Sequence, residues 1–134
     1  VPYLRRQMGA VFQDFRLIPT MTVYENVAFA MRVTNISTKK IKDRVPFALS
    51  LVGLEDKMDR LPDELSGGEK ASVAIASAII SDVQVLLLDE PLSQLDPKAV
   101  TTVSSMLKRI NEELGVTVIV VSHSSEEFID FCYT

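Results

Sequence analysis

This sequence has little cysteine and no long apolar run. Cys132 is the only cysteine among 134 residues, so an internal disulfide is excluded and a reducing compartment is favoured. The apolar stretches 27–31, 85–88 and 118–121 are far shorter than the roughly 20 residues that cross a bilayer as a helix. The opening residues do not form a basic-then-apolar leader, and we expect a protein that is not secreted and crosses no membrane.

A strong excess of positive charge is missing as well. The net charge is −4, with ten Lys and Arg against six Asp and Glu in residues 1–60, and four against twelve in residues 61–134. A strongly acidic half repels a phosphate backbone, so we expect no nucleic-acid partner. The densest basic run lies at residues 39–44 and has the pattern of a solvated helix face.

The composition is that of a soluble globular domain, with 47% hydrophobic and 24% charged residues. Apolar periodicity and helix-start signals predict alternating strands and helices. The predicted elements are a strand at 8–12, helices at 22–34, 37–54 and 66–80, a strand at 83–88, a helix at 96–114, a strand at 116–122 and a helix at 124–131. This alternation implies parallel strands and an α/β sheet.

Local signals mark the ends of these helices. Thr22 and Ser66 are each followed three residues later by a glutamate, which is the spacing of a capping box. Asp96 precedes a proline and predicts the start of the helix at 96–114, while Gly115 predicts its end. Pro46 predicts either a kink in the helix at 37–54 or a later start of that helix.

Side chains suited to phosphate chemistry follow the predicted strands. Asp89 and Glu90 come directly after the strand at 83–88, and His123 comes after the strand at 116–122. Ligands of open α/β sheets bind beyond the carboxyl ends of the strands. There an aspartate can hold Mg²⁺ and a glutamate can accept a proton from an attacking water. The alternatives are that Asp89 and Glu90 only begin a surface loop and that His123 is a structural polar residue. Gln13 after the first strand is not specific by itself.

A serine and two glycines precede the predicted helix at 66–80. Ser66 can cap this helix, and Gly67 and Gly68 would let a phosphate approach bare backbone N–H groups at its positive end. The alternative is an ordinary capping box after a glycine turn, with no ligand.

The order of these motifs resembles the nucleotide-binding domain of ABC-type ATPases over essentially the whole chain. The matching motifs are Gln13, Leu65-Ser66-Gly67-Gly68, Leu86-Leu87-Leu88-Asp89-Glu90-Pro91, Leu95-Asp96 and His123. The resemblance implies a P-loop NTPase-like parallel sheet core, here partial, with an inserted helical subdomain. Residues 1–134 would then be a single domain fragment, with the helical subdomain at 22–60 and the signature helix and core strands at 61–134.

The resemblance also implies catalytic and metal-binding roles. Glu90 corresponds to the catalytic base, and His123 to the switch histidine. Asp89 corresponds to the Walker B aspartate that holds Mg²⁺. Gln13 corresponds to the Q-loop glutamine, which senses Mg²⁺ and water and couples to the membrane partner.

Further residues correspond to the family's nucleotide-binding groups. Ser66, Gly67 and Gly68 match the signature motif, which clasps the γ-phosphate of ATP bound on an opposite subunit. Asp96 lies in the D-loop, and Gln13 also belongs to the nucleotide site. By this resemblance the partners are a second ABC ATPase subunit and an integral membrane permease or FtsX-like subunit. The location is cytoplasmic, peripheral at the inner face of the cell membrane.

Two stretches give a finer resemblance. Residues 2–17 and 22–30 are similar to the FtsE cell-division ATPases, whereas residues 89–93 and 113–117 are more like solute-importer ATPases. In the family, the contact with the membrane subunit lies beside the Q-loop. The candidate contacts here are Phe15, Leu17, Tyr24 and Met31, although Tyr24 and Met31 are equally well explained as core residues.

Three departures from the family pattern concern charge and phosphate binding. No G-x-x-x-x-G-K-[ST] loop occurs in these residues, and because the family has that loop upstream of the Q-loop, we expect the chain to be a fragment. Ala71 and Ser72 stand where the family commonly has Gln-Arg, and Ser77 stands where it often has Arg.

By the resemblance, the intact parent protein would be an ATP hydrolase, with this chain alone inactive. The alternative is a catalytically inactive truncated homologue that acts as a protein-interaction module.

Overall fold

Three parallel strands in sequential order form the sheet of this protein. The computed structural model describes residues 8–11, 15–33, 37–80, 83–89 and 95–121. Its elements are β1 (Met8–Val11), α1 (Val23–Arg32), α2 (Thr38–Leu51), a 3-10 turn (Pro62–Glu64), α3 (Gly67–Ile79), β2 (Val85–Asp89), α4 (Pro97–Leu114) and β3 (Thr117–Val121). The predicted parallel α/β sheet is confirmed, while the predicted helix at 124–131 lies outside the described residues.

The central strand β2 aligns the other two strands. Leu86 is the register partner of Gly9 in β1 and of Val118 in β3. Because strand order follows chain order, both crossover connections run in one direction and place α3 and α4 on the same face of the sheet. Leu86 and Leu88 point to that face and are fully buried. Their burial fixes the register, since a shift of one residue would expose them.

The opposite face of the sheet is open. Leu87 of β2 is half-buried, whereas Ala10 of β1 and Ile119 and Val121 of β3 are exposed. No helix in the described ranges covers this face. Among those same helices, none combines the length and the apolar character that a bilayer span requires.

The helix ends follow their local signals. The Thr22 Oγ1 accepts the N–H of Glu25 at 3.2 Å, and Glu25 Oε1 accepts the N–H of Thr22 at 3.0 Å, so the predicted capping box of α1 is confirmed. At α4, Asp96 Oδ1 accepts the N–H of Ala99 at 2.8 Å. Gly115 ends that helix with a φ of 68°, a conformation that favours glycine.

Helix α2 continues through Pro46 and does not start after it. It begins at Thr38 and runs through Pro46 to Leu51, so the predicted later start is wrong. Buried residues lie on both sides of the proline in sequence, including Ile41 and Leu49. Their packing against α1 and α3 offsets the hydrogen bond that a proline inside a helix removes.

Helix α3 lies at the centre of the molecule. It contacts α1, α2, α4 and β1, and its residues 71–76 are all buried. A helix that is buried on every side must have small side chains where its neighbours come closest. At β1 the approach is so close that a Cβ built on Gly9 would lie 2.5 Å from the carbonyl oxygen of Ala78.

We expect Gly9→Ala to destabilise the protein by about 1–3 kcal/mol, because the added methyl group forces β1 away from the backbone of α3. The free energy of unfolding would be measured by urea denaturation. The control is Ala10→Ser, on the exposed side of the same strand, which should change it by less than about 0.5 kcal/mol. Equal effects of the two substitutions would contradict the packing argument.

Candidate functional site

The N-terminus of α3 is held by a reciprocal pair of hydrogen bonds. Ser66 Oγ accepts the N–H of Glu69 at 3.1 Å, and Glu69 Oε1 accepts the N–H of Ser66 at 2.9 Å. The carbonyl of Ser66 accepts the N–H of Lys70. The predicted capping box is therefore confirmed. The Ser66 hydroxyl and carbonyl occupy the third and fourth amides of the helix, those of Glu69 and Lys70, and within the described residues the amides of Gly67 and Gly68 meet no acceptor.

The two glycines lie at close contacts with the start of α4. A Cβ on Gly67 would lie 3.2 Å from Leu95 Cδ2, and one on Gly68 would lie 3.0 Å from the Cβ of Ala99. The start of α4 thus lies directly against the first turn of α3. Bare amides at the positive end of a helix suit the oxygens of a phosphate, so these residues fit an anionic group of that kind.

A groove of about 540 Å³ runs between the starts of α3 and α4. It brings together three of the predicted nucleotide-binding residues, namely Ser66, Gly68 and Asp96. The carboxylate of Asp96 is already engaged in capping α4. Lys98 is exposed and contributes a cation to the same groove.

Asp89 is the last residue of β2 and is exposed at the carboxyl end of the sheet, next to Val121 in the register. Gln13, Glu90 and His123 lie outside the described residues. Within the ranges that the structure describes, no three His, Cys, Asp or Glu side chains gather in a group that could hold a metal. One exposed carboxylate fits Mg²⁺ bound together with a phosphate, since Mg²⁺ keeps several waters and takes one or two protein carboxylates.

An ion pair that sequence reasoning missed supports the capping box. Lys57, in the turn region between α2 and the 3-10 turn, pairs with Glu69 Oε2. The ammonium of Lys57 and, next, the backbone N–H of Ser66 hold the pKa of Glu69 below its ordinary value. No local pattern predicts a pair of residues twelve positions apart, so only the folded chain identifies it.

A second missed residue is Asn26, which is buried in α1. Its Oδ1 accepts the N–H of Ile18 at 2.8 Å, and its Nδ2 donates to the carbonyl of Met21 at 3.1 Å. The side chain therefore fixes the loop at 15–22 to the helix. The available signal was a polar residue among the apolar positions of an amphipathic helix, where asparagine is otherwise unfavourable.

The loop at 15–22 begins with an unusual backbone. Phe15 and Arg16 have φ values of 58° and 47°, a left-handed conformation that costs non-glycine residues energy and is found at functional sites. Phe15 and Leu17 line a second groove, of about 380 Å³, between this loop, α1 and α3.

Of the four candidate contacts for a membrane partner, only these two lie in that groove. Met31 is fully buried, so its prediction as a surface contact is wrong and its reading as a core residue is correct. Tyr24 is half-buried and packs against the core.

The departures at 71, 72 and 77 occupy packed positions on α3. Ala71 and Ser72 are buried, and the Ser72 hydroxyl donates to the carbonyl of Gly68 at 3.0 Å. The Ser77 hydroxyl donates to the carbonyl of Val73 at 3.0 Å. Ser72 lines the groove at the starts of α3 and α4, and Ser77 lines the second groove. An arginine at either position would have made the electrostatic potential of its groove more positive, whereas serine is neutral.

We expect Glu69→Gln to lower stability by about 1 kcal/mol near pH 7 and by less in acid. Because the pKa of Glu69 is lowered in the folded state, the carboxylate contributes to the free energy of unfolding above about pH 4.5. This contribution is lost as the pH falls through the lowered pKa. Urea denaturation of both proteins between about pH 7 and pH 3 measures the difference. Glu113→Gln, in an exposed pair with Arg109, is the control and should have little effect. A difference that grows in acid would contradict the assignment.

Known proteins match both the sequence and the fold. The profile of the ABC transporter family matches residues 1–93. The cell division ATP-binding protein FtsE of Streptococcus pneumoniae is 47% identical over 126 residues, which are 94% of this chain and 54% of that protein. The methionine import ATP-binding protein MetN of Haemophilus influenzae is 44% identical over 128 residues, 96% of this chain and 37% of that protein.

A solved structure has the same fold. It is cbiO1 from Clostridium perfringens, described as part of the ABC transporter complex cbiONQ. It superposes with a TM-score of 0.84 at 36% identity and covers 92% of this chain and 49% of its own. The chain thus spans about half the length of the FtsE protein and of cbiO1, and less of MetN. The expected resemblance is confirmed, and the chain belongs to the ABC transporter ATP-binding family.

Proposed function

We propose that this chain is part of an ATP-binding and ATP-hydrolysing subunit of an ABC-type membrane complex. The observation that carries the proposal is the groove at the start of α3, which Ser66, Gly68 and Asp96 line, and where the amides of Gly67 and Gly68 meet no acceptor among the described residues. The similar FtsE is a cell division ATP-binding protein, and the similar MetN is a methionine import ATP-binding protein. ATP binding is the property that these two proteins share and that we propose for this chain.

The geometry of α3 supports the proposed nucleotide contacts. Ser66, Gly67 and Gly68 would bind the terminal phosphate of ATP through amides at the positive helix end. A phosphate bound here needs the rest of its nucleotide site on other residues, and we propose that a second, facing ABC ATPase subunit supplies them. Asp96 lies at the rim of the groove and would contact that subunit and the nucleotide.

Hydrolysis would take place at the carboxyl end of the sheet. Asp89, with Gln13, would hold Mg²⁺, which offsets the negative charge of the phosphates when it is bound. Glu90 would accept the proton of the attacking water, and His123 would contact the phosphate that is released. Because Glu90 directly follows Asp89 in sequence, both groups would lie at one edge of the sheet.

We also propose the membrane partner and its contact surface. We propose that residues 22–60 are the helical subdomain and that residues 61–134 contain the signature helix and core strands. An integral membrane permease or FtsX-like subunit would dock in the groove beside Phe15 and Leu17, so the protein would work at the cytoplasmic face of the cell membrane. The similar cbiO1 is by its description part of a transporter complex.

A second candidate function is a protein-interaction module that turns over no ATP. It is favoured by the neutral side chains of Ala71, Ser72 and Ser77 on α3. Because these 134 residues contain no G-x-x-x-x-G-K-[ST] loop, they alone would bind Mg-ATP weakly and hydrolyse none. The two candidates differ in one measurable property, which is ATP turnover by the full-length protein that contains this chain.

In that full-length protein, Glu90→Gln should lower ATP turnover roughly 100- to 10,000-fold, because the amide cannot accept a proton. ATP affinity should stay near the wild-type value, since the neighbouring Asp89 is unchanged. Steady-state turnover and titration with Mg-ATP measure the two properties, and the 134-residue chain serves as the weak-binding comparison in the same titration. Undiminished turnover would move the base to another residue, and an inactive wild type would favour the interaction module.

The docking groove is tested by the double variant Phe15→Ala with Leu17→Asp. It should weaken co-purification with the membrane subunit at least about tenfold, because it removes an apolar anchor and adds a charge, and it should leave ATP affinity unchanged. The matched control is Phe47→Ala with Leu114→Asp, two exposed apolar residues that line a different hollow. Loss of ATP affinity with intact partner binding would show that this surface has another role.

A further inference from the structure

The ion pair of Lys57 with Glu69 is less exposed than the ion pair of Arg109 with Glu113. The side chains of Lys57 and Glu69 keep 28% and 24% of their exposure, whereas those of Arg109 and Glu113 keep 52% and 51%. Partial burial reduces the solvent screening that makes surface ion pairs weak. The pair can therefore hold a defined geometry at its place in the fold.

That place is the first turn of α3. The two oxygens of the Glu69 carboxylate are divided between two partners, with Oε1 on the N–H of Ser66 at 2.9 Å and Oε2 on the ammonium of Lys57. Because one carboxylate makes both contacts, the ammonium restricts the same group that closes the capping box. Lys57 thereby restrains the turn at 66–68, of which Ser66 and Gly68 line the groove.

The backbone around Lys57 is itself attached to another element. The carbonyl of Met58 accepts the N–H of Tyr24 at 3.0 Å, and the carbonyl of Arg60 accepts the N–H of Val23 at 2.8 Å. Both donors lie in the first turn of α1, where helix amides have no partner within the helix. The short segment 57–60 therefore joins the start of α1 to the start of α3.

Charge gives Lys57 a second effect on the same turn. Glu69 is the third residue of α3, and an unbalanced carboxylate there would repel an anion at the amides of Gly67 and Gly68. The adjacent ammonium balances that charge. The turn can then use a glutamate for capping and still receive a phosphate.

We propose that Lys57 is a positioning residue for the phosphate-binding turn at 66–68, acting through Glu69 by fixing its carboxylate and balancing its charge. This inference rests on the proposed ATP site. Lys57 is not among the residues that line the groove. Its influence reaches the groove only through the capping box.

The test uses the full-length protein with Lys57→Met, Lys57→Arg and the control Arg109→Met. Hydrogen exchange in the peptide covering residues 61–72 measures the capping box directly and does not depend on activity. Lys57→Met should speed exchange of this peptide roughly tenfold, while Lys57→Arg and Arg109→Met should change it little. Unchanged exchange in Lys57→Met, or an equal change in Arg109→Met, would overturn the proposal.

ATP turnover provides the readout that a purely structural role would not change. Lys57→Met should lower kcat roughly tenfold with ATP affinity within about twofold of the wild type, and Lys57→Arg should restore most of the rate. Adding Glu69→Gln to Lys57→Met should recover at least about threefold in kcat, because glutamine still caps the helix and carries no charge. Faster exchange with unchanged kcat, or no recovery in the double variant, would overturn the positioning role.

The two proposals fail in different measurements. A wild-type protein without ATP turnover would overturn the proposed function. The exchange comparison decides independently whether Lys57 holds the turn at 66–68.

Discussion

The close packing of helix α3 is the constraint on which the rest of the structure depends. Its residues 71–76 are buried on every side, between α1, α2, α4 and the sheet. Only small side chains allow so many neighbours to approach one helix, and the stretch consists mostly of alanine, serine and β-branched residues. Gly9 on β1 and Gly68 on α3 lie at two further close approaches, where an added Cβ would meet Ala78 or Ala99.

This packing also fixes the candidate site, because the site is the first turn of the same helix. Gly68 lies against Ala99 at the start of α4, so the position of the amides is set by the core and by a neighbouring helix. A binding group attached to a rigid element loses little freedom when its ligand arrives. Because Gly67 and Gly68 have no side chains, the same close packing leaves their amides accessible to a phosphate.

Polar interactions then connect the irregular segments to this core. Asn26 holds the loop at 15–22 on α1, and the segment 57–60 caps the same helix through its carbonyls. Lys57 continues the connection to Glu69 and so to the capping box of α3. The groove beside Phe15 and Leu17 and the groove at the starts of α3 and α4 are therefore joined by hydrogen bonds and an ion pair at the helix ends.

The sequence by itself determined the local structure and the family. The capping boxes at Thr22 and Ser66 and the stop at Gly115 were predicted correctly, because they depend on residues within a few positions of each other. The order of the motifs was sufficient for the family, since that many spaced residues rarely coincide.

Only the tertiary structure decided which residues meet across elements. It alone revealed the pairing of Lys57 with Glu69, the space that Gly9 leaves for Ala78 and the burial of Met31. It also carried α2 through Pro46 by packing on both sides of the proline. The physical reason is that periodicity specifies which face of an element is apolar, whereas the contacts depend on how those faces come together in three dimensions.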